Sequence, residues 1–84
     1  MRVGQSRKRD ANEKAIVDAL RAVGAEVTRI SGEGAPDLLV KRRGRLWAFE
    51  VKGPKGKRTE AQVESQWPIV RTVDEALKSI GAIV

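Results

Sequence analysis

The chain contains no cysteine and no histidine. Without cysteine it can form no disulfide, and without either residue it lacks the ligands of the usual structural zinc sites. The same absences exclude cysteine and histidine nucleophiles and a catalytic triad of serine, histidine and aspartate. A metal site in this protein would therefore need oxygen ligands, which favour hard cations such as Mg²⁺ or Mn²⁺.

Long apolar runs are also missing from the sequence. No stretch approaches the roughly 20 apolar residues that a membrane-spanning helix needs. The N-terminal sequence MRVGQSRKRD lacks the apolar segment of a secretory signal. These features predict a soluble protein of the cytoplasm that has no membrane partner.

The length of 84 residues leaves room for one small domain. Residues 1–9 are basic and have little to bury, so we predict a flexible arm followed by a single domain over residues 10–84. Hydrophobic residues make up 40% of the chain, which allows a real but thin core. Chains this short often gain stability by dimerising or by binding an ion.

Positive charge is the most pronounced feature that is present. The formal net charge is +6 and the pI is near 10.3, which favours a polyanionic partner, most simply nucleic acid. Basic residues of the arm and of two predicted loops are ordinary solvated side chains on their own, and they become candidate phosphate contacts if they flank a site that acts on nucleic acid. These candidates are Arg9, Lys41, Arg42, Arg43, Arg45, Lys55, Lys57 and Arg58.

The stretch Ala35–Lys52, APDLLVKRRGRLWAFEVK, predicts a β-hairpin that carries charged residues. A two-residue turn at Arg43–Gly44 would put Asp37 opposite Glu50 across the hairpin. Because side chains alternate along a strand, Lys52 would share the face of Glu50. The opposite, core-like face would hold Leu38, Val40, Trp47 and Phe49. Two carboxylates and a lysine would thus be held on a hydrophobic hairpin.

Helical periodicity predicts a first helix from about Asp10 to Val23, which Gly24 ends. Glu13 falls on the apolar stripe of this helix, three residues before Ile16. A glutamate in the first turn also complements the helix dipole. Both a capping role and a site role therefore stay open for Glu13.

The other predicted elements give the order helix, three strands, helix, strand and helix. They are a strand over residues 26–30, a Gly-rich loop over residues 31–36, a short helix capped by Thr59 with Gln62, a strand from Ile69 to Val73 and a last helix capped by Thr72 with Glu75 and ended by Gly81. This order predicts an α/β domain.

The charged residues of the hairpin fit metal-assisted hydrolysis of a phosphodiester. Asp37, Glu50 and the Val51 carbonyl would hold Mg²⁺ against a phosphate oxygen and a water, whose pKa a metal can lower from 15.7 toward about 7. Lys52 would orient that water and offset the charge that grows on the phosphate. Two further candidates are Glu13, which could bind a metal through water, and Gln62, which could hold the phosphate or the water.

Pro36-Asp37 followed by Glu50-Val51-Lys52, in the order αβββαβ, resembles the PD-(D/E)XK nuclease superfamily. Within it, GAPDLLV, FEVK and TEAQ are similar to the virus-type replication-repair nuclease (VRR-NUC) domain, whose motif residues match Glu13, Asp37, Glu50, Lys52 and Gln62. The resemblance implies a restriction-endonuclease-like fold, a mixed sheet flanked by helices with a short C-terminal helix. It also implies a Mg²⁺- or Mn²⁺-dependent endonuclease of branched DNA. Stand-alone members, often phage proteins, are dimers that favour four-way (Holliday) junctions.

The sequence departs from this family after Gln62. Ile69 stands only seven positions further on, a shorter span than the family usually has. Trp67–Pro68 is therefore expected to form the whole turn before the last strand. The shortening affects the second helix and any dimer surface built on it, and it leaves the metal site untouched.

Three classes of function are compatible with these patterns. The first is the metal-dependent endonuclease, and the second is a module of the same fold that binds nucleic acid without turnover. The third is a small basic interaction protein, in which Asp37 is a turn residue and Glu50 with Lys52 forms an ordinary ion pair on an exposed strand face.

Overall fold

A computed structural model of the protein describes residues 11–53 and 66–84. These residues form helix α1 (Glu13–Ala22), strands β1 (Glu26–Arg29), β2 (Leu38–Arg42), β3 (Arg45–Val51) and β4 (Ile69–Val70), and helix α2 (Val73–Ser79). The predicted α/β class is confirmed, and so is the order of these elements. The predicted arm over residues 1–9 and the predicted helix that Thr59 caps lie outside the described residues.

The four strands form one mixed sheet in the order β1-β2-β3-β4. β1 pairs with β2 and β2 with β3 in antiparallel fashion, whereas β3 and β4 run parallel. Since β3 and β4 run in the same direction and β2 runs opposite to β3, the C-terminal ends of β3 and β4 and the start of β2 lie at the same end of the sheet. Neither α1 nor α2 is long and apolar enough to cross a membrane, and the described residues contain no other helix.

The hairpin of β2 and β3 has the predicted register. Leu38 pairs with Phe49 and Arg42 with Arg45, so the turn consists of Arg43 and Gly44 alone. Both turn residues have positive φ, 54° for Arg43 and 78° for Gly44. Positive φ at both central positions is the type I′ geometry, whose twist matches that of the two flanking strands.

The hydrophobic core lies on one face of the sheet. Alternating residues of all four strands are buried there, namely Val27, Leu38, Val40, Phe49, Val51 and Val70. Both helices pack on this face through Ile16, Val17, Leu20, Ala76 and Ile80. The predicted core residues Leu38, Val40 and Phe49 are thus confirmed, and Trp47 packs against the core while only partly buried.

Helix α1 begins at Glu13, later than predicted, and ends at Ala22. Gly24, two residues further on, has a φ of 90° and supplies the expected left-handed stop. The preceding residue, Asn12, uses its side chain for tertiary contacts and not to cap the helix. On the exposed face of α1, Lys14 donates a hydrogen bond to Asp18. This hydrogen bond lowers the pKa of the Asp18 carboxyl below its ordinary value.

Helix α2 begins with the predicted cap. The Thr72 hydroxyl accepts a hydrogen bond from the Glu75 backbone N–H, and the Glu75 carboxylate accepts one from the Arg71 N–H. The predicted strand from Ile69 to Val73 is therefore too long, because Thr72 is committed to the helix and β4 ends at Val70.

Candidate active site

The charged residues of the sequence motif lie where several strand ends meet. The Ile30 N–H donates to the Asp37 carbonyl, and the Asp37 N–H donates to the Phe49 carbonyl, each over 2.9 Å. Asp37 is thereby held between the end of β1 and the end of β3. On the other side of β3, the Glu50 N–H donates to the Pro68 carbonyl at 2.7 Å, which fixes Glu50 against the start of β4.

The side chain of Asp37 contacts the backbone of β3. Its Oδ2 accepts a hydrogen bond from the Val51 N–H at 2.9 Å. Strand β2 begins only at Leu38, so it has no backbone carbonyl opposite the Val51 N–H. The Asp37 carboxylate accepts the hydrogen bond from this N–H instead. A hydrogen bond from a backbone N–H to an ionised carboxylate is among the stronger kinds. Asp37 is therefore anchored directly beside Glu50 and Lys52.

Glu50 and Lys52 form an ion pair at the end of β3. Lys52 Nζ lies 3.3 Å from Glu50 Oε2, and the two side chains are 25% and 20% exposed. Residues two apart on a strand share a face, as the sequence predicted for this pair. This face is opposite to the one that carries the core. The contact uses one carboxylate oxygen of Glu50 and leaves the other for a further partner.

The donor set suits a hard divalent cation. Asp37 and Glu50 provide carboxylate oxygens, and Val51, whose N–H binds Asp37, would add its backbone carbonyl. Oxygen ligands of this kind are those that Mg²⁺ and Mn²⁺ prefer. No group of three or more histidine, cysteine, aspartate or glutamate side chains is placed to hold a metal among residues 11–53 and 66–84. The described part of the site thus offers two carboxylates, with water and a substrate phosphate left to complete the coordination.

Glu13 is buried, as its place on the apolar stripe predicted, and its side chain is only 3% exposed. Its Oε2 lies 3.2 Å from the Nε of Arg29, the last residue of β1. Arg29 pairs in register with Leu38 and shares its core-facing side of the sheet. Glu13 therefore does not join Asp37 and Glu50 in a three-carboxylate group, and its described partner is the guanidinium of Arg29.

Asn12 is a residue near this site that the sequence patterns did not single out. Its Nδ2 donates to the Lys52 carbonyl at 3.0 Å and to the Arg71 carbonyl at 2.7 Å. The start of α1 is thereby tied to the last residue of the motif and to the residue after β4. The Oδ1 atom of Asn12 is buried and has no hydrogen-bond partner in the part of the chain that the structure describes. In the sequence, the one feature that marks Asn12 is that it precedes the candidate Glu13.

Trp67, which belongs to the predicted turn before the last strand, also supports the site. Its indole Nε1 donates to the Gly34 carbonyl at 2.9 Å. Gly34 belongs to the loop that leads into Asp37, and Pro68, the neighbour of Trp67, holds the backbone of Glu50. One short segment therefore contacts both halves of the motif. The partners are 33 residues apart, and no local pattern reveals such a contact.

The basic residues of the hairpin lie away from the carboxylates. Lys41, Arg43 and Arg45 are exposed, whereas Arg42 donates from its Nε to the Val23 carbonyl at the end of α1. A strand rises about 3.3 Å per residue, so Arg43 lies roughly 20 Å along the hairpin from Asp37. The turn therefore does not flank the site, as expected from the sequence, but lies nearly the whole length of the hairpin away from it.

Several predicted site residues fall outside the described residues. They are Arg9 of the arm and, in the segment after β3, Lys55, Lys57, Arg58 and Gln62. Their predicted roles stay predictions. Comparisons of the chain with models of protein families, with curated proteins and with solved structures found no match.

Proposed function

We propose that this protein is a metal-dependent endonuclease that hydrolyses phosphodiester bonds of branched DNA. The observation that carries the proposal is the meeting of the two motif halves, in which the Asp37 carboxylate binds the Val51 N–H beside the Glu50–Lys52 ion pair. An aspartate and a glutamate at one strand end can bind a divalent metal, and a lysine beside them can offset charge on the phosphate, so the three residues suit metal-assisted phosphodiester cleavage. The net charge of +6 supports a polyanionic substrate.

The described fold supports membership of the PD-(D/E)XK nuclease superfamily. A helix, an antiparallel run of three strands and a fourth strand parallel to the third make up most of the αβββαβ order of a restriction-endonuclease-like core. The remaining helix of that order would fall in the segment between residues 53 and 66. The VRR-NUC domain is the family within this superfamily that we propose, from its similarity to the sequence around Asp37 and Glu50.

Asp37 and Glu50 would hold Mg²⁺ or Mn²⁺, together with the carbonyl oxygen of Val51. When bound, the cation would polarise the phosphate and lower the pKa of a coordinated water. The chain's own contribution is to keep both carboxylates fixed before substrate arrives, through the Val51 N–H for Asp37 and through Lys52 for Glu50. Such pre-organisation removes the cost of ordering these groups during the reaction.

Lys52, which forms an ion pair with Glu50, would place a positive charge beside the proposed reacting phosphate. Its ammonium group would donate to the attacking water or to a non-bridging phosphate oxygen, and so offset the charge that grows there. Asn12 holds the backbone of Lys52 and would limit the positions that this ammonium can take. Two further residues are proposed to contribute. Glu13 would bind the metal through water, and Gln62 would hold the phosphate or the water.

Four-way junctions are the proposed preferred substrate, and a homodimer is the proposed assembly. A junction has two-fold symmetry and paired incisions need two sites, which a dimer with a two-fold axis would supply. Recognition would depend on the shape and backbone of the DNA, because no base-reading element is evident in the sequence. A mass of one chain at micromolar concentration in solution would contradict the dimer.

The proposal is tested by incubating the protein with a labelled four-way junction or a linear duplex of the same sequence, in Mg²⁺, Mn²⁺ or EDTA. The expected result is cleavage that requires either metal and is faster on the junction. Tight binding without cleavage in any metal would support the module that has lost turnover. Neither binding nor cleavage would support the basic interaction protein.

A further inference from the structure

The tip of the β2–β3 hairpin, defined as Lys41, Arg43, Gly44 and Arg45, is the densest group of unengaged cations in the described structure. Most other described arginines and lysines have an intramolecular partner, such as Glu13 for Arg29 or Asp18 for Lys14. The side chains of Lys41, Arg43 and Arg45 make no hydrogen bond or ion pair within residues 11–53 and 66–84. Lys78 of α2 is the other described cation of this kind.

The tip is a tight turn at the end of the hairpin ladder. The type I′ turn fixes both of its central residues, and five register pairs connect β2 with β3 below it. Arg42, in the middle of the basic run, anchors the strand end to the Val23 carbonyl. The nearest acidic residue in register is Glu26, opposite Lys41 on β1. The turn and the strand register therefore define the backbone of the tip, and Glu26 offsets only part of its positive charge.

The tip cannot contact the phosphate at the proposed metal site. The roughly 20 Å between Arg43 and Asp37 far exceeds the length of an arginine side chain. Double-stranded DNA rises 3.4 Å per base pair, so the same distance corresponds to about six base pairs of a duplex arm. A DNA arm that touches both places must extend at least that far from the site of cleavage.

We propose that the hairpin tip is a second DNA-backbone contact, which binds phosphates about six base pairs from the scissile bond. This inference rests on the proposed function, since it deepens the description of the substrate. It assigns the tip a role in affinity and in the required arm length, and none in the chemical step. The tip presents three exposed cations and no element that could read bases, so the ligand that suits it is the phosphate backbone of a duplex.

The experiment compares four-way junctions with arms of about 12 and about 4 base pairs, lengths chosen on either side of the predicted contact. Each arm is closed by a loop so that the short arms stay paired. Binding is measured in EDTA for the wild-type protein and for the double variant Arg43→Asn/Arg45→Gln. The control is Lys14→Gln/Lys78→Gln, which removes the same charge from the exposed faces of α1 and α2. Single-turnover cleavage in Mg²⁺ is measured on the same substrates.

The double variant is expected to bind the long-armed junction about tenfold more weakly than wild type. The slope of log affinity against log salt should fall by about 1.8, since each lost phosphate contact contributes about 0.9. On short arms the double variant and wild type should bind equally, and the control should resemble wild type on both.

An equal loss of affinity on long and short arms, or no loss on either, would overturn the second contact. The failure of the proposed function has a different signature, which is the absence of cleavage by wild type on every substrate. An arm-length-dependent loss of binding in that case would still support the tip as a DNA contact.

Discussion

The carboxylate of Asp37 accepts a hydrogen bond from the backbone N–H of Val51 at 2.9 Å. This contact joins the two halves of the sequence motif, between which the chain runs through the whole hairpin. It also gives Asp37 a structural task beside the proposed metal-binding one. Substitutions of Asp37 must therefore be chosen so that the loss of activity and the loss of stability can be separated.

Asp37→Asn should leave stability close to that of wild type, because the amide oxygen can still accept from the Val51 N–H. Asp37→Ala should lower the free energy of unfolding by about 1–3 kcal/mol, since that N–H loses a charged acceptor. Urea denaturation followed by circular dichroism measures both. Metal-dependent cleavage should be lost in both variants. Equal stability of the two would contradict the structural role.

Trp67→Phe should weaken the support of the loop that leads into Asp37. The variant keeps an aromatic ring and removes the N–H that binds the Gly34 carbonyl, which is expected to cost about 1 kcal/mol of unfolding free energy. Its cleavage rate should fall because Asp37 becomes less firmly placed. Trp47→Phe is the matched control and should retain the wild-type rate. A Trp67→Phe protein as active as Trp47→Phe would argue against the contact as a positioning element.

Arg29→Met should destabilise the protein by about 1–3 kcal/mol, because the buried carboxylate of Glu13 loses its ion pair. The expected loss is smaller than for a fully buried pair because solvent screens the Arg29 side chain, which is 44% exposed. The matched control Arg45→Met should change stability by less than about 0.5 kcal/mol. Adding Glu13→Gln to Arg29→Met should restore part of the loss. A double variant less stable than Arg29→Met would contradict the coupling.

Arg43→Asn should stabilise the fold while it weakens DNA binding. Arg43 has a φ of 54°, a conformation that asparagine adopts more readily, and Asn-Gly is a preferred type I′ pair. A gain of about 0.5–1 kcal/mol in unfolding free energy is expected. Arg43→Ala removes the same charge without this gain, so it should match Arg43→Asn in DNA affinity and fall below it in stability. Thermal unfolding and DNA titration test the pair.

The hairpin could be predicted from sequence because local rules determine it. Gly44 marks the turn, and the alternation from Leu38 to Phe49 leaves one register that buries an apolar face. Continued by one residue, that register places Asp37 across from Glu50, and the structure has the Asp37 carboxylate on the N–H of the next residue, Val51. The same geometry puts the basic turn at the far end of the hairpin, although charge by itself suggested that it flanks the site.

The contacts that could not be predicted join residues far apart in the chain. Trp67 and Gly34, and Asn12 and Lys52, meet only because the sheet and both helices share one core. For Glu13, helical periodicity predicted burial correctly. The partner could not be read from the sequence, since Arg29 is an ordinary alternating strand residue until β1 is placed beside α1.

The most direct measurement is the single-turnover rate of Mg²⁺-dependent cleavage of a labelled four-way junction by wild type, Asp37→Asn and Lys52→Met. Lys78→Met and Asp74→Asn, exposed positions on α2, serve as matched controls. We predict that wild type and both controls cleave at similar rates. Asp37→Asn and Lys52→Met should still bind the junction and should form almost no product. Cleavage by Asp37→Asn and Lys52→Met at the wild-type rate would contradict the proposed site.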